Sequence, residues 1–301
     1  MDFCPTLSEE IGDKRPERLA GNPSTSQEIL RELAKSLQWH IRRSVGWNPS
    51  TPDDVLRALA RDPVQWVREA VGSNSRADPQ LLIQLSSDRD GFVRAAVARN
   101  RSTPREVLEE LADDEMMDFD ASSQQARYIV KESAAKNPSI QADALISLAG
   151  SDSSGVRAAA ASNPGLPASV MERLVQDHFW MVRDELAKNP STPPGILQIL
   201  AYDRITDVRE TVGRNCRTPG ECLFVLAQDR MWEVRRAVAE NPAAPASVLS
   251  ALAGHWSFLV REAVARNPGA SESVLEELSR DPDQSVLKAA RSRLGPKQDR
   301  M

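Results

Sequence analysis

The sequence predicts an all-α fold, an α-solenoid of about eleven 26-residue repeats with two helices each, and three observations predict it. The ten asparagines fall at Asn22, Asn48, Asn74, Asn100, Asn137, Asn163, Asn189, Asn215, Asn241 and Asn267. Eight of the nine intervals are 26 residues and the other is 37, or 26 plus 11. Apolar residues hold the same phase: Leu or Met eight residues after each Asn, Leu eleven after, and Val or Ile nineteen after. Within a repeat their spacing is three and four, which marks helical faces rather than strands. A fixed period of this length identifies stacked units, each burying its apolar face against the next.

The elements follow in order within each repeat. The first helix opens at a pair such as Thr51-Pro52, Thr103-Pro104, Thr192-Pro193 or Thr218-Pro219. There the Thr hydroxyl is expected to cap free amides, and Pro at the first helical position gives up no needed donor. The helix runs about ten residues to a Leu-Ala pair. An Asp (Asp62, Asp88, Asp177, Asp203, Asp229 or Asp281) is then expected to cap the second helix, which carries the Val-Arg pair and stops at the Asn. The Asn is expected to adopt the left-handed conformation that closes a helix, and the Pro that follows it in seven of ten copies forbids continuation. Helices this short are not stable alone in water, so each depends on its neighbours.

Residues 1–21 are expected to form an irregular cap or partial repeat, 22–294 a single solenoid, and 295–301 a flexible tail. The 11-residue insertion falls near 114–124, inside the stretch 113–126. With 38 basic and 43 acidic residues, 27% charged and 41% apolar, the chain of 301 residues is neither a disordered polyelectrolyte nor a membrane protein. Its apolar runs fall far short of the roughly 20 residues that span a bilayer. Met1-Asp2-Phe3-Cys4-Pro5 offers no secretory signal, and three cysteines (Cys4, Cys216, Cys222) exclude a disulfide framework, so a cytoplasmic protein is expected.

At the pattern Val-Arg-x-x-Val-Ala-x-Asn-Pro-x-Thr-Pro-x-x-Val-Leu-x-x-Leu-Ala-x-Asp, well shown by 41–62, 182–203 and 260–281, the chain resembles the leucine-rich repeat variant family. The resemblance covers roughly 15–294 and implies a right-handed superhelix without sheet, in which an α-helix alternates with a 3₁₀ helix. The second helix is therefore expected to be α and the first short α or 3₁₀. The Asp-x5-Arg spacing also resembles HEAT repeats. A known family member carries a cysteine-rich module holding an iron–sulfur cluster. This chain has only Cys4 in its first 215 residues, so no cofactor is carried over.

Four features could carry function. A basic ladder stands twenty residues after each Asn, at Arg42, Arg68, Arg94, Lys131, Arg157, Arg183, Arg209, Arg235 and Arg261. It could face an acidic ligand or a phosphate backbone. The favoured reading is that most of these cations pair with the Asp six residues before them and interlock neighbouring units. Ser36, Ser151 and His255 replace that Asp, so Arg42, Arg157 and Arg261 are expected to be the free cations. A second stripe just before the Asn, at Arg99, Lys136, Lys188, Arg214 and Arg266, offsets helix macrodipoles.

Aromatics occupy two phases. Trp39, Tyr128, Trp180, Trp232 and Phe258 lie near the ladder and could grip a peptide or stack on bases, though packing between units is the favoured reading, whereas Trp66, Phe92, Met181 and Leu259 are expected in the core. In the insertion, Met116, Met117 and Phe119 on an acidic loop could dock on a basic, apolar groove, or the segment could be a lengthened helix or a bland surface excursion. The three histidines (His40, His178, His255) are scattered, and the two thiols Cys216 and Cys222 make no metal site, so neither catalysis nor a metal is expected. The expected function is a non-enzymatic scaffold that binds a protein or peptide on an extended concave surface. Nucleic-acid backbone binding through the arginine ladder, as in the HEAT-like-repeat DNA glycosylases, is the alternative, and an inert spacer the third class.

Overall fold

Two short α-helices per repeat, joined by an Asn-led corner, account for nearly all of the computed structural model, which describes residues 15–120 and 125–295. The first helices span seven or eight residues, as in Asp53–Leu59, Pro194–Leu200 and Ala246–Ala253. The second span eight to eleven, as in Gln65–Gly72, Thr206–Arg214 and Gln284–Leu294. Of the two forms open to the first helix, the structure takes α.

The chain forms two compact units, Met1–Asn163 and Pro164–Met301. In the first unit the second helices pack in series: Pro16–Gly21 against Trp39–Trp47, then Gln65–Gly72, Gly91–Arg99, Ile129–Lys136 and Ser154–Ala161. In the second unit the series is Trp180–Lys188, Thr206–Arg214, Trp232–Glu240, Phe258–Arg266 and Gln284–Leu294. Each first helix lies against the second helix of its own repeat, which makes two layers within each unit. Pro16–Gly21 fills the place of a second helix inside the expected 1–21 cap. Residues 1–14 of that cap and 296–301 of the expected tail lie outside the described residues.

The core follows the sequence phase. Leu56, Leu82, Leu197, Leu223 and Leu249 (eight after the Asn), Leu85, Leu200 and Leu226 (eleven after) and Val67, Val93, Val208 and Val234 (nineteen after) are all buried. Val71, Val97, Val212 and Val238 complete the seam. The residue two before the Asn must be small because successive second helices approach closely there. A Cβ on Gly46 would meet Ala70 Cβ at 3.1 Å, and one on Gly213 would meet Ala237 Cβ at 3.2 Å.

The corners depart from expectation. The asparagines are extended rather than left-handed, for example Asn48 at φ −67°, ψ 123° and Asn241 at φ −71°, ψ 120°. The following proline, where present, disfavours the α region for the residue before it. Among the described residues the one glycine with positive φ is Gly295. The asparagine side chains work between repeats instead. Asn241 Nδ2 donates to the carbonyls of Gly213 at 2.7 Å and Asn215 at 2.9 Å, while its Oδ1 accepts from the Ala243 amide at 2.8 Å. The same three bonds recur at Asn48, Asn74, Asn100, Asn137, Asn215 and Asn267. Where the phase reaches Arg293, its guanidinium reaches the carbonyls of Asn267 and Pro268 and closes the series.

The threonines do not cap helices either. Thr51, Thr103, Thr192 and Thr218 are buried, and each hydroxyl donates to the carbonyl six residues back, at 2.6 Å in every case. Pro52, Pro104, Pro193 and Pro219 sit at the N-cap without a side-chain bond. The repeat aspartates also act just ahead of the second helix: Asp62 Oδ1 accepts from the Val64 amide, and Val64 is itself the N-cap.

Among its described residues the insertion forms a strand pair rather than a lengthened helix or a bare loop. Asp118–Asp120 and Gln125–Arg127 pair antiparallel, with Phe119 opposite Ala126, which adds a small strand pair to an otherwise helical fold. Asn137 still reaches Ala98 and Asn100 across the insertion, so the stack continues past it.

Leu200 is almost fully buried, and its replacement by Ala should cost about 2–5 kcal/mol of stability in chemical denaturation, as truncations of buried leucines do. A loss below about 0.5 kcal/mol, the size of a surface effect, would show that the seam is wrongly assigned.

Candidate functional site

The basic ladder is built by the second helices, whose third or fourth residue supplies the cation. Its partner is not the Asp six residues earlier but the Asp twenty residues later, in the following repeat. Arg209 Nε and Nη2 meet Asp229 at 2.6 and 3.0 Å, and Arg183 Nε and Nη2 meet Asp203 at 2.5 and 2.9 Å. Arg68 with Asp88 and Arg94 with Asp114 repeat this two-point pairing. The Asp six residues earlier supplies only its backbone carbonyl, as Asp203 does to Arg209 Nη1 at 2.8 Å. One guanidinium thus ties its own corner to the next.

The expectation that Arg42, Arg157 and Arg261 stand free is therefore corrected. Arg42 pairs with Asp62 at 2.6 Å and Arg261 with Asp281 at 2.6 Å. Arg157 Nη1 donates to the carbonyls of Ser151 and Asp152 at 2.8 and 2.9 Å. Ser36, Ser151 and His255 cost these arginines nothing, because at those corners the carbonyl is what they use. The substitutions act on the preceding cation. Lys131, whose rung would fall at Ser151, turns to Glu115 at 2.8 Å and lies 5.4 Å over the Tyr128 ring. Arg235, whose rung would fall at His255, has no ion pair among the described residues, and its Nε is buried without a hydrogen bond.

The pairing sets the electrostatics. Burial alone pushes the carboxyls of Asp88, Asp203 and Asp229 up. Hydrogen bonds from their arginines and from the amide two residues on, together with the arginine charge, more than offset it and hold all three below the usual carboxylate range. For Asp281 the Arg261 hydrogen bond is the leading cause of the same downward shift. Glu69 runs the other way, raised by burial against the pull of Arg43 and Arg99.

The remaining features are spread over other faces. Trp39 and Trp180 are partly exposed, and Trp39 meets the His40 ring edge-on. Trp232 stacks with Arg236 at 5.5 Å rather than with the ladder residue Arg235. Trp66 and Phe92 contact each other between neighbouring repeats at 5.8 Å. Trp66 and Met181, expected in the core, are partly exposed, because this phase lies at the margin of the packed seam. Met116 and Met117 are each 57% exposed. Phe119 lies in the first strand, and its side chain is outside the described residues. In the stripe before the Asn, Lys188 pairs with Asp184 and Glu185, Arg214 with Glu210 and Glu240, and Arg266 with Glu262.

One apolar surface escaped the sequence reading. Tyr202 and Phe224, 71% and 55% exposed, line a shallow groove of about 690 Å³ in the second unit with Val225, and Arg204, Gln228 and Arg230 border it. The available signal was an aromatic at two phases, one in the first helix (Phe224) and one in the turn after it (Tyr202), that carry polar or small residues in most repeats. Among the described residues no three His, Cys, Asp or Glu side chains gather where a metal ion could sit. None of their helices is long and apolar enough to cross a membrane.

Comparison with known proteins agrees with this architecture. The family model for the leucine-rich repeat variant matches residues 91–116, 232–255 and 258–283, so the repeats there are of that type. A solved structure described as a leucine-rich repeat variant with a novel repetitive structural motif is 26% identical. It covers 77% of this chain and 87% of its own, with a TM-score of 0.51. An engineered protein is 17% identical over 96% of this chain and 97% of its own, with a TM-score of 0.38. No curated protein sequence matches.

The depressed aspartates fix a pH dependence. A carboxyl whose pKa is lower in the folded chain contributes stability that is full above the unfolded value, about 4, and is lost as pH falls through the folded one. The melting temperature should therefore be flat from pH 7 to about 5 and drop steeply below about 4. Asp229→Asn should cost about 3 kcal/mol at pH 7, because it leaves Arg209 buried beside a neutral group, and should make the acid drop shallower. An unchanged acid profile in that variant would show that the ladder carboxylates do not govern it.

Proposed function

We propose that this helical-repeat protein is a non-enzymatic, cytoplasmic scaffold that binds a protein or peptide partner. The observation that carries this reading is a division of labour among side chains. The ladder arginines are consumed by aspartates of the next repeat, whereas aromatic and aliphatic side chains are left exposed beside polar edges. Tyr202, Phe224 and Val225 bordered by Arg204 and Arg230 form an apolar centre with a charged rim, the composition of a protein-binding patch. Exposed Met116 and Met117 in the acidic insertion offer a second contact in the other unit. The free thiols Cys216 and Cys222 support a reducing compartment.

Phosphate-backbone binding through the ladder is the weaker reading, because a guanidinium already held by a carboxylate at two points must give up those bonds to take a phosphate. Selection of a random peptide library on the full chain, alongside a salt-titrated duplex-DNA assay, tests the choice. Selected peptides should bind at least tenfold more weakly to Tyr202→Asp with Phe224→Asp and equally to Leu37→Ser, a change at an exposed position of the first unit. Recovery of no peptide, together with micromolar DNA binding that falls steeply with salt, would overturn the proposal.

A further inference from the structure

We propose that the gap in the arginine ladder at Arg235 and His255 is a binding site for a carboxylate group. This goes beyond the partner-binding reading and stands whether or not the Tyr202 groove binds a peptide. In the neighbouring rungs Arg209 and Arg261 hold Asp229 and Asp281 through Nε and Nη2, so the position facing each guanidinium belongs to a carboxylate. At Arg235 that position falls to His255, and the ring supplies half of what an aspartate does. Its Nδ1 accepts the Ser257 amide at 3.0 Å, as Asp281 Oδ1 accepts the Asp283 amide at 2.8 Å.

A ring nitrogen that accepts a hydrogen bond carries no proton, so the neutral imidazole bears its hydrogen on Nε2. His255 Nε2 is buried without a partner, and so is Arg235 Nε. This rung is therefore left with two N–H donors and no acceptor among the described residues, where Asp229 and Asp281 supply the acceptor in the neighbouring rungs. Buried donors left unpaired are rare and costly. The Arg235 charge is felt at His255: burial and then Arg235 lower its pKa, which keeps the ring neutral and Nε2 a single donor.

A carboxylate satisfies both donors with its two in-plane oxygens and returns the charge that the missing Asp would have carried. A metal cation would be repelled by the guanidinium. Arg235 and His255 are only half-buried as whole residues, so a side-chain rotation opens the two nitrogens to solvent. Trp256, 73% exposed and 5.3 Å from the imidazole, flanks the entrance with an apolar face.

The chain has three histidines, so ring-nitrogen NMR resolves the site. Acetate titrated against chloride at constant ionic strength should shift the His255 ring signals saturably, with millimolar affinity, and leave His40 and His178 unmoved. Arg235→Gln should abolish the shift. His255→Asp should complete the rung, raise the melting temperature and remove the stabilisation that acetate gives the wild type. A tetraglutamate peptide that binds at least tenfold more tightly than acetate would assign the carboxylate to a polypeptide, and equal affinity would assign it to a small acid. The proposal is overturned by no saturable His255 shift, by a shift that survives Arg235→Gln, by a His255→Asp variant that melts lower than wild type, or by sulfate acting as strongly as acetate.

Discussion

A buried backbone carbonyl at the end of a helix needs a hydrogen-bond donor, and in a stack of short helices the donor has to come from the adjoining repeat. One carboxamide per repeat meets that need. Asn74 Nδ2 fills the Gly46 and Asn48 carbonyls while its Oδ1 takes the Arg76 amide, and the Asn74 carbonyl then accepts from Asn100. The chain of amides explains the other features of the corner. The extended backbone at each Asn brings the side chain back across the preceding helix end. The small residue two positions earlier lets the two helices come close enough for the bond. The buried Thr supplies a donor to one more carbonyl at the same end, as Thr103 does for Val97. Arg293 shows the demand from the other side, since where the Asn is missing a longer donor reaches the same carbonyl.

The arginine ladder is a second interlock, set at the opposite end of the second helix. Arg183 binds the Asp177 carbonyl of its own corner and the Asp203 carboxylate of the next, so one side chain fixes both the entry to its helix and the register of its neighbour. Amide bonds at one helix end and ion pairs at the other thus flank the buried apolar seam. Tyr202 and Phe224 stand exposed beside the ladder, in a groove also lined by Asp203, Arg209 and Asp229.

The repeat phase, the two helices and the buried leucines could be read from the sequence because apolar periodicity reports directly which face is dry. The direction of the polar contacts could not. In a 26-residue repeat, an Asp six residues before an Arg and one twenty residues after it are the same sequence position seen from adjacent units, so spacing alone cannot choose between them. Only the exceptions break the tie. Ser36 and His255 leave Arg42 and Arg261 fully paired, whereas His255 strands Arg235. The asparagine was misjudged for a related reason: the Asn-Pro corner suggests a local backbone role, and nothing local reveals that its amide reaches 26 and 28 residues back. Gly or Ala two residues before the Asn, at Gly46, Gly72, Ala98, Ala187, Gly213 and Ala239, was the readable sign of that close approach.

The strand pair in the insertion had no periodic signal to announce it, and the Tyr202 groove departs from the repeat only at single positions. Both are places where this chain differs from its own pattern, and both adjoin the ladder: Arg94 pairs with Asp114 at the start of the insertion, and Arg209 and Asp229 line the groove.

The claim that amides interlock the repeats is tested most directly by urea unfolding of Asn241→Ala and Asn241→Asp at pH 7. Ala removes two donors to buried carbonyls and should cost about 2–4 kcal/mol. Asp keeps the shape but sets a charged acceptor against the Gly213 and Asn215 carbonyls, and should cost more. Equal stability of Asp and wild type, with Ala the only destabilised variant, would mean that the side chain fills space rather than donates, and would contradict the account.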